Sequence, residues 1–328
     1  MSDQNALAEA ARAAGLAPSV HNTQPWRWRV HGDHLDLYAD RSRQLTAADP
    51  EGRLLLISCG AALHHARIAL AAAGWRPAVE RFPDAGEPDH LARVRLSERV
   101  GVSPEAIRRF QLTQVRRTDR RPLVDAPVDP AVLDQVRAAV EAERVHLHLL
   151  RPEQISELAY AAGRADDLTA KDEKVRDELA RWVGGPRREG TGLPDASIPV
   201  QPPPTGVPVR DFGHAGTLPA DQPAGRGDVS ASYGVLFGEV DRPPGWLSAG
   251  EALSAAWLVA TEHGLALLPF SGPVEIPVTR VVLRRLLANL GHPYLVVRLG
   301  HPDPDRAGPP HTPRLDPTQV VEIVEAGA

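Results

Sequence analysis

The stretch that decides the fold reads Ala17-Pro-Ser-Val-His-Asn-Thr-Gln-Pro-Trp26. Before it, an alanine-rich run at residues 6–14 favours a helix, and Gly15 ends that helix. After it, residues 26–30 favour a strand. The stretch is therefore predicted to be the loop between a first helix and a first strand. Taken alone, it could be no more than a turn with a packed tryptophan.

The residues after this loop predict a first series of helices and strands. A hairpin turn at His31-Gly32-Asp33 joins the strand at 26–30 to another at 35–38. There follow a helix at 54–73, short strands at 78–82 and 92–96, and a helix that begins at Ser103-Pro-Glu.

A second series of predicted elements begins near Arg116. It comprises helices at 130–143, 153–182, 247–263 and 278–290, and strands at 145–150, 233–240 and 294–300. Within it, residues 184–228 are rich in Pro and Gly and cannot hold a regular helix or ladder for long. Such a long loop is typical of a lid, a binding loop or a disordered linker, and we favour a lid.

The composition restricts the partners that we expect. With 42% hydrophobic residues and a formal net charge of −5, the chain has a globular balance and lacks the surplus of Lys and Arg that holds nucleic acid. No run approaches the roughly 18 consecutive apolar residues of a membrane span, so we expect a cytoplasmic protein without a membrane partner. Cys59 is the single cysteine, and neither His64-His65 nor the pair His146 and His148 has a third ligand at a recognisable spacing. We therefore expect no metal site.

Two further segments complete the pattern: Arg116-Arg-Thr-Asp-Arg-Arg-Pro-Leu123 and Gly264-Leu-Ala-Leu-Leu-Pro-Phe-Ser-Gly272. With the 17–26 loop, they make the chain resemble the FMN-dependent nitroreductase superfamily, and most closely its two-lobed Acg-like branch. The resemblance implies an α+β, nitroreductase-like fold with two related lobes in one chain, each a mainly antiparallel sheet flanked by helices. The predicted lobes are 1–112 and 113–328, the second including the lid-like segment.

The resemblance also implies one non-covalent FMN. In the superfamily, an Arg-x-Ser-x-Arg/Lys segment holds the flavin phosphate and the pyrimidine edge of the ring, and the matching residues here are Arg116, Thr118 and Arg120. Alternate residues of an extended segment point to one side, so two guanidinium groups and a hydroxyl would surround one anion. Without the other motifs, the same residues would be read as a solvated basic patch.

Other segments are expected to complete the FMN site. They contribute Pro18, Ser19 and Asn22 from the 17–26 loop, Pro269, Phe270, Ser271 and Gly272 from the third segment, and Arg314 near the C-terminus. In the same loop, Gln24 and Trp26 are expected to brace the backbone instead.

One composite site per chain is expected from the distribution of these motifs. The first lobe has the 17–26 loop but no Arg-x-Thr-x-Arg segment before its first helix, and the second lobe has the segment but no such loop. Each lobe therefore supplies a part that the other lacks. A second chain would not be needed, so a monomer and a homodimer both stay open.

The resemblance implies an oxidoreductase that transfers two electrons through flavin N5 to or from a small organic molecule. NAD(P)H would be a transient reductant, because no Gly-x-Gly-x-x-Gly motif follows a strand. The spacing of residues identifies no catalytic side chain. Two alternatives remain: an FMN-storage protein whose lid covers the flavin, and a flavin-free structural descendant in which Arg116 and Arg314 form only surface pairs.

Overall fold

The computed structural model describes residues 3–184, 190–201, 205–212, 216–220 and 228–324. The first half of the chain forms α1 (Asp3–Ala14), β1 (Trp26–Val30), β2 (His34–Ala39), α2 (Arg53–Ala72), β3 (Trp75–Arg81), β4 (His90–Arg99) and α3 (Pro104–Val115). The second half forms α4 (Pro130–Ala142), β5 (His146–Leu149), α5 (Pro152–Lys171), α6 (Glu173–Trp182), β6 (Ser232–Gly238), α7 (Pro243–Glu262), β7 (Ala266–Phe270), α8 (Gly272–Glu275), α9 (Pro277–Leu286), β8 (His292–Gly300) and β9 (Val321–Ile323). The predicted α+β class is confirmed.

Capping side chains set where several helices begin. Ser103 accepts a hydrogen bond from the Ala106 N–H before α3, and Asp129 accepts one from the Ala131 N–H before α4. A proline follows each cap, at a position where its missing N–H costs nothing. These helices begin where the sequence predicts.

The two sheets repeat one strand order. The first runs β3-β4-β2-β1 and the second, read from its corresponding edge, runs β7-β8-β6-β5. All pairings within these two sets of four strands are antiparallel. Each half thus places helix, strand, strand, helix, strand and strand in the same order, with α5 and α6 inserted before β6 and α8 and α9 inserted before β8.

The two halves meet through α2 and α7, which cross at a pair of glycines. A Cβ atom added to Gly60 would lie 2.0 Å from the Leu247 carbonyl oxygen, and one added to Gly250 would lie 1.9 Å from the Ile57 carbonyl oxygen. No side chain fits at either position, so the helix backbones themselves are in contact. The central helices are therefore closer together than helices separated by side chains, which pack about 8–10 Å apart.

Buried charges also connect the halves beside this crossing. Glu251 of α7 is 1% exposed and binds Arg67 of α2 at 2.7 Å and Arg81 of β3 at 2.8 Å. Arg67 also binds Glu143, which follows α4, at 2.7 Å. Removing one member would leave an uncompensated buried charge, so the network fixes the orientation of the two halves.

The C-terminal segment returns to the first sheet. β9 pairs in parallel with β1, with Val321 opposite Trp28. The predicted boundary between residues 112 and 113 falls inside α3, and β9, from the predicted second lobe, completes the sheet of the first. The division into two lobes at that point stays a prediction.

Several boundaries differ from the predicted ones. α7 begins at Pro243 rather than at residue 247, because prolines are tolerated in a first helical turn. β7 was not predicted, since its short apolar run has no alternation to separate it from a buried helical segment. In the predicted lid, the described residues hold a short 3-10 turn, Asp195–Ser197, and two isolated bridges, whereas 185–189, 202–204, 213–215 and 221–227 lie outside the described residues.

α2 passes a length and composition test for a membrane-crossing helix. Its most apolar 18-residue window is 83% buried inside the protein. The same helix carries the crossing glycine and packs between α1 and α7, so its apolar character is accounted for by the core.

The helix crossing predicts that a single methyl group at Gly250 destabilises the protein. A Gly→Ala change in a helix interior is worth about 1 kcal/mol in favour of folding, but the added carbon would overlap the Ile57 carbonyl. We expect Gly250→Ala to lower the free energy of unfolding by about 1–3 kcal/mol, measured by urea denaturation.

Gly101→Ala is the matched control for this variant. Gly101 has nothing within 4 Å of an added Cβ, so we expect a change within about 0.5 kcal/mol. A Gly250→Ala protein at least as stable as the natural one would contradict the close crossing.

Candidate functional site

A cavity lies where the two halves meet. α2 contributes Leu54 and Ile57 to its wall, and α7 contributes Leu253 and Trp257. Every residue that the sequence assigns to the cofactor lines this one cavity: Pro18, Ser19, Asn22, Arg116, Thr118, Arg120, Pro269, Phe270, Ser271, Gly272 and Arg314. The structure thus brings the predicted residues together, and their roles toward a cofactor stay predictions.

The 17–26 loop has an unusual backbone. His21, Asn22 and Gln24 have positive φ angles of 44°, 57° and 50°. Left-handed conformations are costly for residues other than glycine and persist where surrounding contacts fix them. A shape that the rest of the protein has to hold in place is typical of a binding loop.

Side chains of the loop tie it to two distant segments. The Gln24 side chain donates to the Gly190 carbonyl at 2.7 Å and accepts from the Leu315 N–H at 3.0 Å. The Asn22 side chain donates to the carbonyls of Gly192 and Pro313 at 3.1 and 2.9 Å. Gln24 therefore braces the loop as predicted, and Asn22 braces it as well.

Two arginines from different parts of the chain form one pole of the cavity. Arg116 lies at the end of α3, stacks over Trp257 at 4.4 Å, and reaches the Leu16 carbonyl at 3.4 Å. Arg314 reaches the same carbonyl at 3.2 Å and donates to the Asn22 Oδ1 at 3.2 Å. Burial lowers the pKa of Arg116 to about 9, with the charge of Arg314 acting in the same direction, and burial lowers the pKa of Arg314 to about 10.

Arg120 belongs to a second group of residues in the same cavity. Its guanidinium donates to the Ser197 carbonyl at 3.2 Å and lies 5.8 Å from the Phe212 ring centroid. Burial lowers its pKa to about 10. Its charge also helps to lower the pKa of His21 well below the ordinary value, although burial and then Arg210 contribute more.

Alternate residues of the segment 116–121 have different surroundings. Arg116, Thr118 and Arg120 line the cavity, whereas Arg121 makes a two-pronged contact with Asp119 at 2.9 and 2.7 Å outside it. The Arg298 side chain donates to the Arg121 carbonyl and fixes the backbone there. Arg117 departs from the alternation, since it also lines the cavity and contacts His311 at 3.1 Å.

A buried charged cluster on another part of the wall was not predicted from the sequence. Arg210 binds Glu275 at 2.6 Å and the His21 ring at 3.3 Å. Asp166 of α5 lines the cavity nearby, and burial raises its pKa to about 6 despite the opposing charge of Arg210. A Cβ atom at Gly272 would lie 3.3 Å from the Arg210 guanidinium, so the turn after β7 closely approaches this cluster.

These residues could not be found from sequence patterns. Arg210 lies in the Pro/Gly-rich segment and Asp166 within an ordinary amphipathic helix. Arg210 meets His21 only because the insertion between β5 and β6 folds across the first half of the chain, and Asp166 joins the cluster through the charge of Arg210. A basic residue within a lid-like segment is a weak signal by itself.

The cavity can be compared with known proteins. No family model matches the sequence. A Mycobacterium tuberculosis H37Rv protein provisionally named NAD(P)H nitroreductase Rv3131 is 37% identical over 94% of this chain and 89% of its own length. Another, provisionally named NAD(P)H nitroreductase Acg, is 32% identical over 97% of this chain and 95% of its own length. A solved nitroreductase-like family protein from Bacillus cereus is 14% identical, with a TM-score of 0.39 over 70% of this chain and 100% of that chain, too low to carry weight.

The sequence relatives span nearly the whole of both chains. The aligned parts cover 94% and 97% of this chain. The protein belongs to the nitroreductase family, in its Acg-like branch. The predicted family and its fold class are confirmed.

Asp166 predicts a pH dependence of stability. Its carboxyl has an ordinary pKa of 3.8 and a folded-state pKa of about 6, so within that window the folded protein binds more protons than the unfolded chain. The free energy of unfolding therefore falls as pH rises through this window at this group. We expect Asp166→Asn to raise the urea midpoint at about pH 7.5 and to leave it unchanged near pH 4, where the natural carboxyl is protonated.

The neighbouring Asp167→Asn serves as the control. Asp167 is exposed, so its midpoint shift should be small and should not grow between the two pH values. An Asp166→Asn protein that loses stability at about pH 7.5 would show that the pairing of Asp166 with Arg210 outweighs its burial.

Proposed function

We propose that the protein is an FMN-dependent oxidoreductase that holds about one non-covalent FMN per chain in this cavity. One observation carries the proposal. Arg116, Arg120 and Arg314 line the cavity, and in the described part of the chain no carboxylate acts on Arg116 or Arg314, whereas the charge of Asp119 acts on Arg120. Buried positive charge without a counter-charge is expensive, so the site suits an anionic ligand.

The donor set fits a phosphate group. The Nε atoms of Arg116 and Arg314 are buried and, among the described residues, make no hydrogen bond. A dianionic phosphate between them would accept charge-assisted hydrogen bonds and raise both lowered pKa values. We therefore assign the flavin phosphate to Arg116 and Arg314.

The rest of the cavity fits a flat, largely apolar ring. Leu54, Ile57, Leu253 and Leu268 offer apolar walls, and the turn at 269–272 offers backbone groups. Arg120 lies four residues along the chain from Arg116, and four residues span at most roughly 13 Å at about 3.3 Å per residue, enough for Arg120 to reach the far, pyrimidine end of the same molecule. Bound FMN would supply two-electron transfer through N5 to or from a small organic molecule, with NAD(P)H as a transient reductant.

The chain's own residues would then have separate tasks. Arg120 would stabilise negative charge at the pyrimidine edge, since a cation close to developing charge in a dry site acts strongly. The apolar walls would exclude water. Asp166, with its pKa of about 6, can hold or release a proton near neutral pH at the cavity wall. We propose a cytoplasmic monomer or homodimer that works on small molecules, without nucleic acid or membrane.

A second candidate function is FMN storage. It is favoured by the lid-like segment, which contributes Leu193, Ser197, Val209 and Phe212 to the cavity wall. If that wall covers the exposed face of the flavin, a substrate has no access. Storage and catalysis share the same cofactor site, so they must be separated by reactivity.

Reduction kinetics distinguish the two functions. The purified protein is assayed for FMN per chain and then mixed anaerobically with NADH or NADPH in a stopped-flow spectrometer. We expect about one FMN per chain and rapid bleaching of the flavin absorbance. Bleaching by dithionite but by neither nicotinamide would favour storage, and a protein that takes up no added FMN would exclude both functions.

The phosphate assignment predicts that the arginines determine FMN affinity. Each of Arg116→Ala and Arg314→Ala removes hydrogen bonds to a charged group, worth about 1.5–3 kcal/mol, so we expect FMN to bind roughly 10- to 150-fold more weakly. Affinity is measured by quenching of FMN fluorescence with cofactor-free protein.

Arg137→Ala is the control for charge alone. Arg137 is a half-exposed residue of α4 paired with Asp134, and we expect its removal to leave the FMN affinity within about two-fold. Unchanged affinity in both cavity variants would contradict the assignment even if the protein binds FMN.

A further inference from the structure

We propose a divalent transition-metal site, suited to Zn²⁺, on the hairpin that joins β1 to β2, with His31, His34 and Asp36 as its protein ligands. The inference is independent of FMN and of the proposed reaction. These residues lie on a different surface from the cavity, and none of them lines it. Leu35 and Leu37 point into the core, so His34 and Asp36 lie on the opposite face of β2.

Both histidines lie close to the Asp36 carboxylate, near the ligand separation that a metal requires. Asp36 Oδ2 lies 3.6 Å from His31 Nε2 and 3.4 Å from His34 Nε2, and all three groups offer ligand atoms within 4.8 Å of one another. A tetrahedral Zn²⁺ with bonds of about 2.0–2.1 Å separates its ligands by about 3.3 Å. The two distances to Asp36 Oδ2 are close to two edges of a coordination tetrahedron, and water would be the fourth ligand.

The hydrogen bonds of Asp36 leave one oxygen position directed at the two histidines. Arg93, opposite Asp36 on β4, donates to Oδ1 at 2.8 Å and to Oδ2 at 2.9 Å. His90 Nε2 approaches Oδ1 at 3.1 Å. A carboxylate has about four acceptor positions, so Oδ2 keeps one, on the side where His31 and His34 lie.

His34 is oriented as metal-bound histidines usually are. Its Nδ1 lies 2.7 Å from the Asp33 carboxylate, which selects the tautomer with the proton on Nδ1. The Nε2 lone pair of that tautomer then points toward the Asp36 carboxylate. The His34 Nε2 and the Asp36 carboxylate would then be two acceptors that face each other and need a cation or a proton between them. A metal ion would fill this role.

The two imidazole rings of the hairpin lie against each other. The rings of His31 and His34 stack with centroids 4.2 Å apart and an interplanar angle of 11°. Both rings would have to tilt for their lone pairs to converge, and their side chains, 29% and 16% exposed, have room to do so.

Zinc titration of the full chain tests the site. Protein without an affinity tag is stripped with a chelator and titrated with Zn²⁺ by isothermal calorimetry, with and without added FMN. We expect one Zn²⁺ per chain, a Tm that rises by several degrees at saturating zinc, and the same result at either level of FMN. His31→Ala and His34→Ala should each weaken binding about 100-fold or more, and Asp33→Ala about 10- to 100-fold.

The control is His146→Ala, which removes an exposed histidine of the second sheet and should leave zinc affinity unchanged. The metal-free Tm of each variant shows whether it is folded, and His34→Gln replaces any alanine variant that is not. Natural protein that binds no Zn²⁺ would overturn the proposal. So would a double variant at His31 and His34 that keeps the natural affinity, since the ion would then lie elsewhere.

Discussion

The backbone contact between α2 and α7 is the constraint on which the rest of the structure depends. Because Gly60 and Gly250 let two helices from different halves touch without side chains, the sheets on either side are held at a fixed separation. The cavity opens beside this crossing and takes its apolar wall from the same two helices. Glu251 and its two arginines add a polar restraint on rotation about the crossing. The geometry of the cavity therefore depends on the α2–α7 crossing, although Gly60 and Gly250 do not line the cavity.

The fold class and the set of residues that line the cavity follow from the sequence, whereas the roles of those residues toward a cofactor stay predictions. Most of the cavity-lining residues belong to three short contiguous motifs, at 17–26, 116–120 and 269–272. A contiguous motif can be recognised in the sequence without knowledge of the fold. Arg210 contacts His21 across 189 residues of sequence and acts on Asp166 from a different segment, and no local pattern encodes that meeting. The repeated strand order was only implied by resemblance, because β7 and β9 are too short to be recognised from periodicity.

Charge gives the cavity two distinct ends. Burial lowers the pKa of both Arg116 and Arg314, and the charge of Arg314 lowers that of Arg116 further, so an anion between them would be stabilised. Arg120 stands apart from them, next to an aromatic ring and a backbone carbonyl. A ligand with a compact anion at one end and a polar, flat group at the other satisfies both ends at once. This difference between the two groups of arginines would determine the orientation of such a ligand in the cavity.

The parallel pairing of β9 with β1 has a consequence for synthesis of the protein. Val321 is made roughly 300 residues after its partner Trp28, so at about 5–20 residues per second the edge of β1 stays bare for tens of seconds. The loop that follows α1 also lacks one of its restraints during this time, because the Leu315 N–H donates to the Gln24 side chain. An open strand edge is a template for unwanted pairing, which gives chaperones a defined interval in which to act. A ribosome that stalls late would release a chain with nearly all of its core and neither a closed first sheet nor a finished cavity.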